Sequence, residues 1–130
     1  MMGLRGDLME GLAVLKAITN ETKLRLVALL MENQLCVCEL EEITNIRQAN
    51  ISKNLLSLKS SGIVDVRRDA QRGFYFLTDS FLENTYFLEH LQELKMKEPQ
   101  LIEDHKVFLH HEEHKDENVY VCRTFRSEAN

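Results

Sequence analysis

The segment NIRQANISKNLLSLKSSG, residues 45–62, decides the fold, because its apolar and polar residues separate onto two faces of one helix. Ile51, Leu55 and Leu58 are four and three residues apart, so on a helix they form one apolar stripe that packs inward. The opposite face carries small, amide or hydroxyl side chains and one cation. Gly62 follows where many helices end in a left-handed residue. The segment therefore predicts a short amphipathic helix with a hydrophilic outer face.

The polar face of this helix has the composition of a surface that contacts DNA. Amide and hydroxyl side chains hydrogen-bond to base edges in the major groove, and cations contact phosphates. A solvated surface helix is the competing interpretation, because amphipathic helices are common in globular proteins. If the helix enters a groove, its predicted DNA contacts are Gln48, Asn50, Ser52, Lys53 and Ser57.

The sequence after this helix changes to the period of a β-strand. Residues 63–67, IVDVR, and residues 74–77, FYFL, predict two short strands joined by a loop at residues 69–73. Guanidinium groups near such a loop are suited to contact phosphates or the minor groove. The arginines in or beside the loop are Arg67, Arg68 and Arg72. A hairpin in this position is a wing beside the polar-faced helix.

Charge is distributed unevenly along the chain. The formal net charge of the 130 residues is −5, which argues against indiscriminate binding to nucleic acid. Residues 45–73, however, contain six Lys and Arg residues against two Asp residues. A basic segment on an acidic body still binds a polyanion, while the body limits non-specific attachment. The charge pattern therefore favours one local DNA-binding surface.

The composition excludes several other classes of protein. Hydrophobic residues make up 44% of the chain, which suits one domain with a modest core. No run of eighteen apolar residues occurs, so we expect no membrane span. The N-terminal residues lack the apolar stretch of a signal peptide, which predicts a cytoplasmic protein. No catalytic triad pattern or glycine-rich phosphate loop is present, so we expect no enzymatic activity.

Three helices are predicted before the polar-faced helix. Their expected ranges are residues 7–18, 21–31 and 39–44. Asn20 is the expected N-cap of the second helix, because its side-chain oxygen can accept a hydrogen bond from a backbone N–H of the first turn. Turns are expected at residues 32–34 and near residues 44–46.

A long helix is predicted after the wing. Ser80 and Glu83 have the spacing of a capping box, and the helix should extend to about Lys97, before Pro99 interrupts it. A final helix is predicted at residues 100–114. Its expected buried residues are Leu101, Ile102, His105, Phe108 and Leu109.

The long helix has a wider apolar surface than the wing and three short helices can cover. The residues of this surface are Phe81, Tyr86, Phe87, Leu88, Leu91 and Leu94. We therefore expect part of it to pack against a second copy of the chain. The competing interpretation is an ordinary core helix.

The order of these elements is that of a winged helix-turn-helix, a mainly α fold with a two-stranded β-hairpin. Three motifs also resemble the ArsR/SmtB family of transcriptional repressors. The first, at residues 20–30, is NETKLRLVALL, which is similar to the second-helix signature of the family. The second, at residues 48–64, is QANISKNLLSLKSSGIV, which is similar to the recognition-helix motif. The third, at residues 34–40, is QLCVCEL, which is similar to the metal box of arsenic- and cadmium-sensing members. The resemblance covers roughly residues 12–94.

The resemblance implies a homodimeric repressor that dimerises through its terminal helices and is released from double-stranded operator DNA by an inducer. By position it adds Asn54 to the predicted DNA contacts. Arg47, Ala49 and Asn54 stand where the family usually has a Ser-type cap, Pro and His, which leaves the operator sequence open. We assign residues 1–98 to the winged helix-turn-helix and dimerisation domain, and residues 99–130 to a C-terminal helical extension and tail.

Cys36 and Cys38 are the predicted ligands of the inducer. They point the same way only if residues 35–38 are extended or irregular. The N-terminus of the following helix would then lower the pKa of both thiols. Thiolates suit arsenic(III), antimony(III) and cadmium, and also lead or copper(I). Cys122 is a third candidate ligand, and the nearby carboxylates of Glu39 and Glu41 are candidate oxygen ligands.

The family's metal sites are incomplete in this sequence, so other switches stay open. Glu41 stands where arsenic sensors have a third Cys, and Phe81 stands where the family's zinc site has a His. A disulfide between Cys36 or Cys38 and Cys122 is the redox alternative. Buried thiols without a sensing role, a metal-independent regulator and a winged-helix protein-interaction module are the remaining ones.

A histidine-rich segment near the C-terminus is a further candidate site. His110 and His114 are four residues apart, which is zinc-ligand spacing on a helix. A solvated polar helix end is the favoured interpretation of this segment.

Overall fold

Four helices form the first part of the fold. The computed structural model describes residues 12 and 14–115. Residues 12 and 14–17 are helical (α1), and they are followed by α2 (Glu21–Leu30), α3 (Val37–Thr44) and α4 (Gln48–Ser60). Asn20 caps α2 as predicted, because its side chain accepts a hydrogen bond from the backbone N–H of Lys23 at 3.2 Å.

The turn between α3 and α4 sets the position of the polar-faced helix. Asn45 ends α3 in the left-handed conformation with φ 60°, and its N–H donates to the carbonyl of Glu41 at 2.8 Å. Asn tolerates this conformation better than most residues. α4 then packs against α2 and α3. The predicted stripe of Ile51, Leu55 and Leu58 is fully buried in the core.

The loop of the wing is shorter than predicted. Its strands are β1 (Val64–Asp69) and β2 (Arg72–Leu77), which pair antiparallel. Asp69 pairs with Arg72, so the loop contains only two residues, and the predicted loop at residues 69–73 is wrong. Ala70 has φ 57°, the positive value that closes such a turn. Leu35 adds an isolated bridge to Tyr75 of β2, so the segment before α3 is joined to the wing.

The helix predicted at residues 80–97 is two helices. They are α5 (Asp79–Leu82) and α6 (Thr85–Lys97). Thr78, not Ser80, is the N-cap of α5, because its Oγ1 accepts from the N–H of Phe81 and donates to the carbonyl of Gly62 at 2.6 Å. The helical conformation is then interrupted at Asn84, whose side-chain amide donates to the carbonyls of Ser80 and Phe81.

The last described helix packs back onto the helix-turn-helix. α7 (Pro99–His114) has 16 residues, against 13 for α6, so it is the longest described helix. It contacts α2, α3 and α6. Leu101 and Phe108 are buried as predicted, whereas Leu109 is 49% exposed and Ile102 and His105 are half-buried.

A buried ion pair connects α7 to α2. The guanidinium of Arg25 donates from Nε and Nη2 to both carboxylate oxygens of Asp104, at 2.8 and 2.9 Å. Nη2 also donates to the carbonyl of Thr44 at 3.1 Å. A bidentate pair of this kind is strong and geometrically specific. Three helices therefore meet at one guanidinium group.

The predicted dimer face is partly covered within the chain. Phe81 and Leu91 are buried, and Phe87, Leu88 and Leu94 are packed against the core, whereas Tyr86 is 87% exposed. None of the described helices has the length and apolar character needed to cross a membrane.

Candidate DNA-binding surface and thiol site

The outer face of α4 is accessible over most of its predicted contacts. Asn50, Ser52 and Lys53 are exposed, and Gln48 and Ser57 are half-buried. α4 begins at Gln48 without a side-chain cap from Arg47. Five of the six predicted contacts on this helix therefore reach the solvent side, where a DNA duplex would lie.

Asn54 is the exception on this helix. It is only 7% exposed, and its Nδ2 donates to the carbonyl and to Oδ1 of Asn50, at 2.8 and 2.9 Å. The periodicity indicates this placement, because residue 54 lies three residues after Ile51 and four before Leu58. Asn54 thus holds the Asn50 side chain, and it does not share the exposed face predicted for it.

The N-terminus of α4 is capped from α3. The carboxylate of Glu41 accepts a hydrogen bond from the backbone N–H of Gln48 at 3.1 Å. The first N–H groups of a helix lack partners within the helix, so a carboxylate there is favourable. The sequence indicates Glu41 as a candidate metal ligand. Its contact with Gln48 instead gives it a structural role at the start of the recognition helix.

The wing arginines are held to different degrees. Arg67 is the most constrained: its Nε donates to Gln34 at 3.1 Å, and its guanidinium lies 5.1 Å from the centre of the Phe74 ring. Arg68 is exposed and Arg72 is half-buried. The three cations are thus on the wing as predicted, and both Arg67 and Arg68 are exposed.

The two neighbouring cysteines lie at the start of α3. Cys36 is extended, with φ −89° and ψ 168°, and it is the N-cap of the helix. Its N–H donates to the carboxylate of Glu39 at 3.1 Å, which closes a capping box and starts the helix at Val37. The condition for shared ligation, an extended or irregular segment over residues 35–38, is therefore not met at Val37 and Cys38, which are helical.

The cysteines differ in oxidation state. Cys36 and Cys38 are both buried, in a small cluster against Phe74. Cys36 is a free thiol, whereas Cys38 is disulfide-bonded. The side-chain amide of Gln48 donates to the Sγ of Cys38 at 3.6 Å. Cys122, the third predicted ligand, lies outside the described residues.

The pKa of the Cys36 thiol is raised, which contradicts the predicted lowering. Burial is the main cause, because it disfavours the thiolate, and the negative charge of Glu39 adds to it. The N-terminus of α3 acts to lower the pKa of this thiol, but its effect is smaller than that of burial and of Glu39 together. Cys36 is therefore protonated near neutral pH and is a poorer metal ligand than the sequence indicated.

The carboxylate of Glu39 lies between Cys36 and the C-terminal end of α7. Its carboxylate is 2.9 Å from Nε2 of His111 and 3.3 Å from Nζ of Lys115. Burial acts to raise the pKa of Glu39, but hydrogen bonds from His111 and from the Cys36 N–H, together with the charge of Lys115, lower it to about 2. His111 is thus turned inward, with a side chain only 7% exposed. Its neighbour His110 is exposed and stacks on His114, with ring centres 4.1 Å apart.

A capped turn, a recognition helix with a hydrophilic outer face and an arginine-bearing wing define a winged helix-turn-helix transcriptional regulator. Residues 20–66 match the model of the arsR family of bacterial regulatory proteins. The transcriptional repressor BigR from Xylella fastidiosa superposes with a TM-score of 0.59 and 30% identity, over 73% of this chain and 89% of BigR. The chain therefore belongs to the ArsR/SmtB family.

Relatives in this family carry different names. The transcriptional activator HlyU of Vibrio cholerae serotype O1 is 34% identical over 71 residues, which are 55% of this chain and 66% of HlyU. The solved structure of reduced HlyU from Vibrio cholerae N16961 superposes with a TM-score of 0.61 at 26% identity, over 76% of this chain and 99% of that one. The cadmium resistance regulatory protein CadC of Listeria innocua is 38% identical over 63 residues, 48% of this chain and 53% of CadC. The chain thus matches between about half and two thirds of the length of these two curated relatives.

Proposed function

We propose that this protein is a homodimeric, DNA-binding transcriptional repressor whose affinity for operator DNA depends on the oxidation state of Cys38. The observation that carries this proposal is the contact between the disulfide-bonded sulfur of Cys38 and the first residue of the recognition helix, Gln48. A change in the bonding of this sulfur acts directly where α4 begins.

Cys122 is the proposed partner of Cys38 in the switch. The chain has three cysteines, and Cys36 is a free thiol, which leaves Cys122 as the remaining candidate in the same chain. In the oxidation step the two thiols lose two protons and two electrons, and one S–S bond forms. With hydrogen peroxide as the oxidant, the peroxide is reduced to two molecules of water. A thiol reductant reverses the step.

The oxidised form is the one that releases DNA in this proposal. Two conformations of the α3–α4 region differ in DNA affinity, and the disulfide favours the conformation that binds DNA more weakly. The relative BigR is named a transcriptional repressor, which supports repression, and one solved structure of HlyU is described as reduced.

The test compares reduced and oxidised protein on one DNA duplex. The duplex is first selected from a random double-stranded library with the reduced protein, and affinity is then measured by fluorescence anisotropy. We expect at least about a tenfold weaker affinity after oxidation, a coupling of about 1.4 kcal/mol. The Cys38→Ser and Cys122→Ser variants should lose this response, whereas Cys36→Ser should keep it. Equal affinity of the oxidised and reduced forms, or loss of the response in Cys36→Ser alone, would contradict the proposal.

A thiophilic ion is the second candidate inducer. The proximity of Cys36 and Cys38 in one buried cluster and the similarity to CadC favour it. An anaerobic titration of reduced protein with arsenite, antimony(III) and cadmium distinguishes it, because thiolate ligation produces an ultraviolet absorption band. A band that requires Cys36, with release of the selected duplex, would favour the metal switch over the disulfide switch. A response only to peroxide would favour the disulfide.

A further inference from the structure

A cluster of metal-ligating side chains lies between α3 and α7, away from the outer face of the recognition helix. Glu39 projects from α3, and His111 and Glu112 project from the last turn of α7. One ligand atom from each residue lies within 4.8 Å of the other two. Glu39 is 2% exposed, and His111 and Glu112 are half-buried, so the cluster is held inside the body of the protein.

We propose that Glu39, His111 and Glu112 bind a divalent transition-metal ion, with Zn²⁺ as the best match, and that the ion joins α7 to the helix-turn-helix. One imidazole nitrogen and two carboxylates, completed by water, are a donor set that Zn²⁺ accepts. Ligand atoms of a tetrahedral zinc ion lie about 3.3 Å apart. His111 Nε2 and Glu39 Oε2 are already 2.9 Å apart, so small side-chain movements complete the site.

The two oxygens of Glu39 have separate roles at this site. Oε1 accepts the N–H of Cys36 in the capping box, and Oε2 faces His111. A metal ion can therefore bind Oε2 while the N-terminus of α3 stays capped. The proposed site thus uses oxygen and nitrogen ligands and none of the thiol ligands predicted from the sequence.

A cation already occupies part of this space. The ammonium of Lys115 lies 3.1 Å from the carboxylate of Glu112 and 3.3 Å from that of Glu39. Its position marks the point between two carboxylates where positive charge is stabilised. Lys115 has a side chain that is 36% exposed, so it can turn toward solvent when a divalent ion takes its place. Lys115 is accordingly a competitor of the metal ion.

The experiment is a titration with Zn²⁺ and Co²⁺ of the full chain carrying Cys36→Ser, Cys38→Ser and Cys122→Ser, which removes every thiolate ligand. We expect one ion per chain by calorimetry and a visible Co²⁺ absorption band. His111→Ala or Glu112→Gln should weaken binding by at least about tenfold. His110→Ala is the matched control, because this exposed neighbour should leave the affinity unchanged. Lys115→Met should bind the ion several-fold more tightly, and circular dichroism verifies that each variant is folded.

Several outcomes overturn the proposal. They are the absence of binding in the folded thiol-free protein, unchanged affinity in His111→Ala, and loss of binding in His110→Ala or His114→Ala, which would assign the ion to the stacked pair on the outer side of α7. None of these results bears on the disulfide proposal, since the tested protein contains no cysteine. If oxidation does not change the DNA affinity of the parent chain, the conclusion from the zinc titration is unaffected.

Discussion

The side-chain amide of Gln48 donates a hydrogen bond to the Sγ of Cys38 at 3.6 Å. Gln48 is the first residue of the recognition helix, and Cys38 lies in the first turn of the preceding helix. The backbone N–H of Gln48 is bound in turn by Glu41, also on α3. Two contacts with α3 therefore hold the start of the recognition helix. One of them is made by a sulfur atom that can change its oxidation state.

This contact predicts that Gln48→Ala weakens the redox response. Without the amide, a change at Cys38 reaches α4 through fewer contacts, so the ratio of oxidised to reduced dissociation constants should fall toward one. Anisotropy with the selected duplex measures the ratio. Ser52→Ala is the control, because Ser52 lies on the same face away from Cys38 and should lower affinity without changing the ratio. An unchanged ratio in Gln48→Ala would exclude this contact as the route of coupling.

Lys53→Ala and Arg68→Ala should each weaken DNA binding and reduce its dependence on salt. Each phosphate contact releases about one counterion, so the slope of log affinity against log salt should become shallower by about one unit per variant. The measurement is a salt series with the selected duplex. Lys97→Ala, an exposed cation on α6, is the control that should keep the parent slope. If both variants kept the salt slope of the parent protein, DNA docking through α4 and the wing would be ruled out.

Tyr86→Glu should convert the proposed homodimer into monomers. Tyr86 is 87% exposed at the start of α6, and a charge placed in an apolar interface is costly. Analytical ultracentrifugation measures the mass in solution. Leu56→Glu provides the comparison, because Leu56 is 67% exposed on the recognition helix and should leave the dimer intact. A Tyr86→Glu protein that stays dimeric would place the interface elsewhere.

Asp104→Ala should lower the free energy of unfolding by about 3 kcal/mol, because it leaves the guanidinium of Arg25 buried without its carboxylate partner. Urea denaturation followed by circular dichroism measures this change. Glu103→Ala, an exposed neighbour on α7, should change stability by less than about 0.5 kcal/mol. Equal effects of the two substitutions would mean that the pair between α2 and α7 does not stabilise the fold.

Acid should destabilise the protein through Glu39. Its pKa is about 2 in the folded chain against a usual 4.5. A lowered carboxyl pKa contributes stability that is present above pH 4.5 and is lost as pH falls toward 2. The contribution is on the order of 3 kcal/mol. Urea denaturation at pH 7 and pH 3 should therefore show a smaller loss of stability in Glu39→Gln than in the parent, and an equal loss would contradict the assignment.

Local patterns in the sequence predicted the elements that depend on near neighbours. The stripe of Ile51, Leu55 and Leu58 and the cap at Asn20 were both correct, because helical period and capping operate within a few residues. The same local rules misplaced the cap of α5. Ser80 had a suitable pattern, but Thr78 is the N-cap, and its hydroxyl also donates to Gly62, sixteen residues earlier in the chain.

The sequence by itself determined the order of helices and wing, the buried stripe of α4 and most of its outer face, because these follow from local periodicity and backbone preferences. Only the tertiary structure decided the contacts of Gln48 with Cys38, of Asp104 with Arg25, and of His111 with Glu39. These partners are separated by 10, 79 and 72 residues. Which of many possible polar partners meet depends on how α3 packs against α4 and how α7 packs against α2 and α3, and no local pattern encodes that packing.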